Sequence, residues 1–338
     1  TLGLHVHSVL MSTLQGSALG LLDVNAWARN PQDFGKAKQR ESLPVWQKES
    51  GKWLRGYAAA DRAAQRLERT QVVVVGDREA DLYDLLVAAT KGTAAVLVRA
   101  KHPRRDLWKG VRALPAAATL EVQIARSGAR RARRAQIELR YRQVEIARPS
   151  DPRSAADRTP SVRAWAIAAT EVAGSSGDAT PIEWLLLTTL PIADAPSAAE
   201  KVGWYAKRWL IEVFHRTLKT GCRIERRQSK TAQSLKAALA IDVVVAFRVL
   251  SLVKLAREMP DLPCTAVLAD DEWKALYCFV KRTKTPPAVP PTLRQAVLTI
   301  AELGGFLGSK DPGAETTWKG LERLTDITTA YRLFLSSA

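Results

Sequence analysis

The chain has 338 residues, of which 46% are hydrophobic, enough to build the core of one large domain or of two. Its 51 Lys and Arg against 34 Asp and Glu give a formal net charge of +17, so the expected partner is a polyanion, with nucleic acid the leading candidate. Three scattered cysteines argue against a disulfide framework or a cysteine zinc site and fit a reducing cytoplasm, and no apolar run is long enough to span a membrane.

The first third of the chain alternates strand and helix patterns. Four consecutive valines, residues 72–75, are typical of a buried strand, and Asp77 follows at its carboxyl end. A strand meander followed by a strand-helix-strand unit indicates a mixed sheet with helices on its faces. The predicted elements are strands at 3–11 and 16–23, a helix at 53–69, a strand at 72–75, a helix from about residue 80 and a strand at 95–103.

Strand-like alternation dominates from about residue 106 to residue 188, which predicts an antiparallel β insertion at about 104–190. Its basic run at 128–135 fits either a hairpin tip that contacts phosphates or a solubilising loop. Helical patterns follow at 197–220 and 231–257, and further helices extend to the C-terminus. We expect two domains, a catalytic core at 1–258 and a helical region at 259–338.

The most informative segment is WYAKRWLIEVFHRTLKTG, residues 204–221. On one continuous helix its key side chains would lie within an arc of roughly 60°. A lone carboxylate among cations and aromatic rings suits a divalent metal ion beside a phosphodiester, but a solvated basic helix face explains the same pattern. The central residues are Tyr205, Arg208, Glu212 and Lys219, and Trp209 and Arg216 flank them.

Asp77 and Glu212 are the carboxylates expected to meet. Ligand sites favour the carboxyl ends of buried strands, where Asp77 stands. Converging carboxylates suit Mg²⁺, and two such ions about 3.5–4 Å apart can serve an in-line displacement at phosphorus. For Asp77 alone, the competing interpretation is a cap for the next helix. Glu79 and Asp81 are weaker metal candidates, because acids in a first turn commonly serve the helix dipole.

These motifs together resemble those of the bacterial DDE transposases of the IS-four family. The family's Y-x2-R-x3-E-x6-K signature matches Tyr205, Arg208, Glu212 and Lys219, and its second catalytic aspartate matches Asp77 in GDREAD. The similarity runs along nearly the whole chain, and a joint match of this kind is specific. Further matching segments, in family order, are VHSVL at 6–10, ESGKW at 49–53, VRAKHPR at 98–104, WLLLT at 184–188 and GGFLGSK at 304–310.

The resemblance implies an α/β protein with an RNase H-like mixed-sheet core, an antiparallel β insertion and a C-terminal α-helical region. It implies a two-metal site for Mg²⁺ or Mn²⁺, cut-and-paste transposition through a hairpin intermediate, and transposon-end and target DNA as partners. It further implies a homodimer in the synaptic complex, formed through the C-terminal helices, and a bacterial cytoplasmic, nucleoid-associated protein without a membrane partner.

The resemblance also assigns individual residues. Asp77 and Glu212 would be catalytic and would bind the metal ions. Trp184 would stack on a flipped base, whereas its competing interpretation is an aromatic side chain in the core of the β insertion. The expected DNA-binding residues are Tyr205, Arg208, Lys219, Arg216, Trp184, Arg99, Trp209 and Lys101.

One part of the family pattern has no match. The family's first catalytic aspartate lies on a strand before the segment that matches residues 6–10, and Asp23 follows a later strand. The family's N-terminal DNA-recognition domain has no match either. We therefore expect an incomplete chain that cannot cleave DNA by itself. The alternative is a catalytically inactive remnant that binds DNA or dimerises and so inhibits transposition.

Overall fold

The computed structural model describes residues 3–29, 43–102, 104–124, 133–150, 157–172, 181–308 and 311–335. Residues 128–132 of the predicted basic hairpin tip therefore lie outside the described residues. The chain divides into two compact units. The sheet unit comprises His7–Val9 and Arg29–Arg208, and the helical unit comprises Thr1–Val6, Leu10–Ala28 and Trp209–Ala338.

Eight strands form two sheets in the described part of the chain. A two-stranded sheet pairs β1 with β2, and a six-stranded sheet has the order β3-β4-β8-β7-β6-β5. In the larger sheet β3 and β4 are parallel, and the other neighbours are antiparallel. The strands are β1 His5–Ser12, β2 Ala18–Trp27, β3 Val73–Gly76, β4 Ala95–Arg99, β5 Ala118–Ile124, β6 Arg133–Ala147, β7 Ser161–Glu171 and β8 Glu183–Thr188.

The predicted antiparallel strands are therefore present, and they extend the central sheet. The junction is the pairing of β8 with β4, in which Leu187 lies opposite Val98. This pairing joins residues almost ninety positions apart, so local periodicity could not predict it. The mixed sheet expected from the strand-helix-strand pattern is confirmed.

Nine α-helices lie in the part of the chain that the structure describes. They are α1 Gly51–Ala64, α2 Tyr83–Lys91, α3 Arg105–Arg112, α4 Ala195–Ala206, α5 Trp209–Arg216, α6 Ala232–Glu258, α7 Asp270–Lys281, α8 Leu293–Leu303 and α9 Ala314–Leu335. The long helix predicted at 231–257 is confirmed as α6, and Thr231 is its N-cap, accepting a hydrogen bond from the Ser234 backbone N–H. In the described part of the chain, no helix has the length and apolarity needed to cross a bilayer.

Helices cover both faces of the six-stranded sheet. Because side chains alternate along a strand, Val96 and Val98 of β4 pack in one cluster with α1, α2 and α3. The intervening Leu97 packs on the opposite face with Val202 and Tyr205 of α4. The side chains of β4 therefore pack against helices on both faces of the sheet. The chain leaves β4 after Arg99, at the carboxyl edge of the sheet.

The helical unit has two apolar clusters. One joins α6, α7, α8 and α9, and the other packs β1 and β2 against α5 and α6. The contact between α8 and α9 is close because of glycine, since a Cβ at Gly320 would lie 1.7 Å from the Ile300 carbonyl oxygen. Asp242, which is buried within α6, forms an ion pair with Arg227 at 2.6 Å.

Candidate active site

Asp77 lies at the carboxyl end of β3, immediately before the 3₁₀ turn Arg78–Ala80. The chain turns tightly there, and a Cβ at Gly76 would lie 2.3 Å from the Cβ of Ala80. The Oδ1 atom of Asp77 accepts a hydrogen bond of 2.8 Å from the Glu79 backbone N–H, as the capping interpretation expects. Asp77 is half-buried and forms no ion pair with any residue that the structure describes. One carboxylate oxygen thus remains available to a ligand.

Asp81 has a different role from the metal candidate considered in the sequence. Its side chain is fully buried and accepts hydrogen bonds of 2.7 and 2.8 Å from the Arg104 guanidinium. It also accepts the backbone N–H groups of Lys101 and His102, at 2.7 and 3.1 Å. These four bonds occupy the carboxylate, so Asp81 anchors the loop after β4 and is not placed to bind a metal ion.

The charge state of Asp81 follows from this environment. Burial alone raises the pKa of a carboxyl group, but the Arg104 guanidinium and the two backbone N–H groups outweigh burial and hold the pKa of Asp81 below its ordinary value. Sequence reasoning missed this role. The available signal was a second aspartate in the motif, followed beyond β4 by a basic segment that could pair with it.

Three other expected residues of the sheet unit, Arg99, Lys101 and Trp184, lie near the same sheet edge. Arg99 ends β4, and its Nη2 atom donates to the Glu183 carbonyl at 2.8 Å. Lys101 is exposed in the loop that Asp81 anchors. Trp184 of β8 is half-buried, and its ring packs edge-on against Tyr205 with 5.3 Å between centroids. Stacking of Trp184 on a base stays a prediction.

The signature segment is not one continuous helix, so the predicted single arc of side chains is wrong in geometry. Helix α4 ends at Ala206, α5 begins at Trp209, and Thr217–Gly221 forms a π-helical turn. Thr217 Oγ1 donates to the Val213 carbonyl at 3.0 Å, and this competition for a helix carbonyl accompanies the change to wider turns. A π turn contains more residues than an α turn, which rotates Lys219 away from its position in the ideal-helix projection.

The signature side chains differ in their surroundings. Tyr205 of α4 is only 5% exposed and packs in the core against the sheet, whereas Glu212, Arg216 and Lys219 are exposed on the helical unit. Lys219 forms an ion pair of 2.9 Å with Glu225. Arg208 belongs to the sheet unit and is half-buried.

Trp209 presents an exposed ring in the helical unit, 45% accessible, and the Lys254 ammonium lies 4.6 Å from its centroid. A cation beside an exposed indole is compatible with the predicted contact of Trp209 with DNA and equally with a surface cation–π pair. The contact of Trp209 with DNA stays a prediction.

Asp77 belongs to the sheet unit and Glu212 to the helical unit, so their shared ion stays a prediction. Across the described ranges, no group of three or more His, Cys, Asp or Glu side chains is arranged to hold a metal ion.

Two substitutions at Tyr205 separate its packing from its hydroxyl chemistry. Tyr205→Ala should lower the free energy of unfolding by about 3–5 kcal/mol, because it removes a buried aromatic ring. Tyr205→Phe should change that free energy by about 0.5 kcal/mol or less, since the hydroxyl bonds to no residue that the structure describes. Urea denaturation followed by circular dichroism measures both, and a large loss in Tyr205→Phe would contradict this assignment.

Comparison with protein families accounts for most of the sequence. Residues 56–246, more than half of the chain, match the transposase DDE domain, and residues 244–336 match the transposase Tn5 dimerisation domain. The DDE domain carries the RNase H-like fold, in agreement with the mixed sheet and its covering helices. Its match spans both Asp77 and the signature segment. The chain therefore belongs to the DDE transposases and is a DNA transposase related to the Tn5 and IS-four group.

Proposed function

We propose that Asp77 and Glu212 hold the divalent metal ions, Mg²⁺ or Mn²⁺, used in DNA cleavage and strand transfer during cut-and-paste transposition. The observation that carries this proposal is the position of Asp77 at the carboxyl end of β3, with one carboxylate oxygen not engaged by described residues. Carboxylate oxygens are the ligands that hard divalent cations prefer. When bound, two such ions activate the attacking oxygen and stabilise the leaving oxygen.

The residues around these carboxylates would bind the DNA strand. Cations neutralise phosphate charge, which fixes the strand in register without reading its sequence. The Tyr205 hydroxyl would donate to a phosphate oxygen, and Trp184 would stack on a base. The proposed DNA contacts are Tyr205, Arg208, Trp209, Arg216, Lys219, Arg99, Lys101 and Trp184.

The C-terminal match supports self-association. We infer a homodimer in the synaptic complex, formed through the region that matches the dimerisation domain, residues 244–336. Such a complex would hold transposon ends together before they are joined to target DNA. Binding to DNA would also place the protein on the bacterial nucleoid.

The family triad includes a further aspartate, and no residue of the 338-residue sequence matches its motif. We therefore propose that these 338 residues bind DNA without cutting it. Incubation of the chain with Mn²⁺ and transposon-end DNA, followed by denaturing electrophoresis, tests this proposal. Specific strand cleavage that disappears in Asp77→Asn would contradict it and would show that the chain contains a complete site.

Manganese binding tests the pairing of the two carboxylates independently of cleavage. Asp77→Asn and Glu212→Gln should each weaken Mn²⁺ binding by about tenfold or more. Substituting a residue that only hydrogen-bonds to a metal ligand commonly lowers metal affinity by about that factor, and a ligand itself should matter at least as much. If the two carboxylates share an ion, the double variant should lose much less than the product of the single losses. Calorimetry or electron paramagnetic resonance measures the binding.

Matched controls for this experiment are Asp106→Asn and Glu225→Gln, which remove exposed carboxylates that are not proposed metal ligands. Both controls should bind Mn²⁺ as the parent does. Equal affinity in the parent, Asp77→Asn and Glu212→Gln would refute the metal site, and independent losses would refute the shared ion.

A further inference from the structure

We infer that a pocket beside Asp77 is a binding site for one nucleotide of a DNA strand. The pocket has a volume of about 610 Å³ and lies within the sheet unit, next to the carboxyl ends of β3 and β4. Its lining includes Arg78, the residue after Asp77, and Lys101 and His102 of the loop after β4. The inference rests on the proposed function, because it takes DNA as the partner and assigns one of its nucleotides to a defined place.

The cations of this pocket favour an anion. Arg78 and Lys101 are exposed, and neither of them forms an ion pair with a residue that the structure describes. The carboxylate of Glu79, which also lines the pocket, is already paired with Lys52 at 2.7 Å. Arg112 adds a further cation and is bound to Glu183 at 2.6 Å. The pocket therefore offers positive charge that internal ion pairs do not cancel, which suits a phosphate group.

The other side of the pocket is apolar. Ala100 and Leu185 contribute half-buried side chains, and Trp108 contributes a ring that is only 2% exposed. This apolar wall suits the base and sugar of a nucleotide better than it suits a bare phosphate.

Size and position agree with this occupant. The volume falls within the range of small-ligand sites, about 300–1,000 Å³, whereas a phosphate in a duplex backbone needs only a surface. Neighbouring side chains of β8 point to opposite faces, so Leu185 faces the pocket while Trp184 packs against Tyr205 on the other face. The pocket is thus distinct from the site where Trp184 is expected to stack on a base.

Asp81 builds the pocket before any ligand arrives. Its carboxylate accepts hydrogen bonds from the backbone N–H groups of Lys101 and His102 and from the guanidinium of Arg104. These bonds fix the backbone of the basic loop after β4. A loop that is already ordered loses less conformational entropy when it binds a ligand. Asp81 is therefore a positioning residue for this site, acting through Lys101 and His102.

The test uses the full chain and three small probes measured by calorimetry. The probes are a 5′-phosphorylated thymidine dinucleotide, an abasic dinucleotide of the same charge and inorganic phosphate. The thymidine dinucleotide should bind at least about fivefold more tightly than the abasic probe, because placing a base against Ala100 and Leu185 removes apolar surface from water. The double variant Arg78→Ala/Lys101→Ala should weaken its binding by about tenfold or more.

Arg105→Ala is the matched control, because it removes an exposed cation of α3 that does not line the pocket. It should bind the dinucleotide within about twofold of the parent. All substituted side chains are exposed, so thermal unfolding should show that the variants remain folded.

Two outcomes would overturn the inference. Equal binding of all three probes would show a general anion site, and equal losses in the double variant and in Arg105→Ala would show only diffuse electrostatic attraction. Either outcome would leave the proposed function intact, because Mn²⁺ binding at Asp77 and Glu212 is measured separately and without nucleotides.

Discussion

Glu212→Gln should lower DNA strand cleavage by at least about 10²–10³-fold while duplex DNA binding stays within about twofold. The experiment uses a version of the protein that also carries the family's remaining aspartate. Glutamine keeps the size of the side chain but removes the negative charge that holds a divalent cation. Because Glu212 is exposed, the substitution should leave the fold unchanged. Single-turnover cleavage and electrophoretic mobility shifts measure the two effects.

The comparison with Glu225→Gln makes this prediction specific. Glu225 is an exposed carboxylate of the same helical unit, paired with Lys219, and its removal changes the net charge by the same amount. Cleavage by Glu225→Gln should remain within about threefold of the parent, because exposed ion pairs contribute little. Cleavage by Glu212→Gln at the rate of this control would remove Glu212 from the catalytic set.

Asp81→Ala should destabilise the protein by about 3–5 kcal/mol, the cost of removing one partner from a buried ion pair. The substitution leaves the Arg104 guanidinium without its carboxylate and leaves the backbone N–H groups of Lys101 and His102 without acceptors. Urea denaturation at pH 7 measures the loss. Asp106→Ala, which removes an exposed aspartate of α3, should cost about 0.5 kcal/mol or less.

The contribution of Asp81 should depend on pH in a defined direction. The folded-state pKa of Asp81 lies below its ordinary value, so its stabilisation is fully present above an unfolded carboxyl pKa of about 4. It is lost as the pH falls below that value towards the lower folded-state pKa. The difference in free energy of unfolding between the parent and Asp81→Asn should therefore shrink below about pH 4. A difference that stays constant from pH 7 to pH 3 would show that Asp81 is not held as a charged anchor.

Regular elements with strong local patterns were predictable from the sequence. The valine run is β3, the alternating segments between 104 and 190 are antiparallel strands, and the long apolar helix is α6 with Thr231 as its cap. In each case the periodicity of the side chains, or the chemistry of one cap, acts within a few residues. The break between Ala206 and Trp209 was not predictable, because the signature pattern continues through it.

Some properties of the candidate site residues were likewise predictable from local sequence, and others were not. The sequence placed Asp77 at a strand end, and the structure confirms that position. The burial of Tyr205 against Trp184 joins α4 to a strand about twenty residues earlier in the chain. The role of Asp81 depends on Arg104, a residue beyond the next strand. Neither partnership has a local pattern, because both arise from packing between separate elements.

The sequence by itself determined the family, the positive charge that calls for a polyanion, and the motifs that contain Asp77 and Glu212, because these depend on residue identity and spacing along one chain. Only the tertiary structure decided that β8 joins the antiparallel strands to β4 and that Asp81 anchors the basic loop. It also placed Trp108 beside the cationic pocket. Burial and hydrogen bonding belong to groups that folding brings together from distant positions, and these contacts set the surroundings in which each side chain acts.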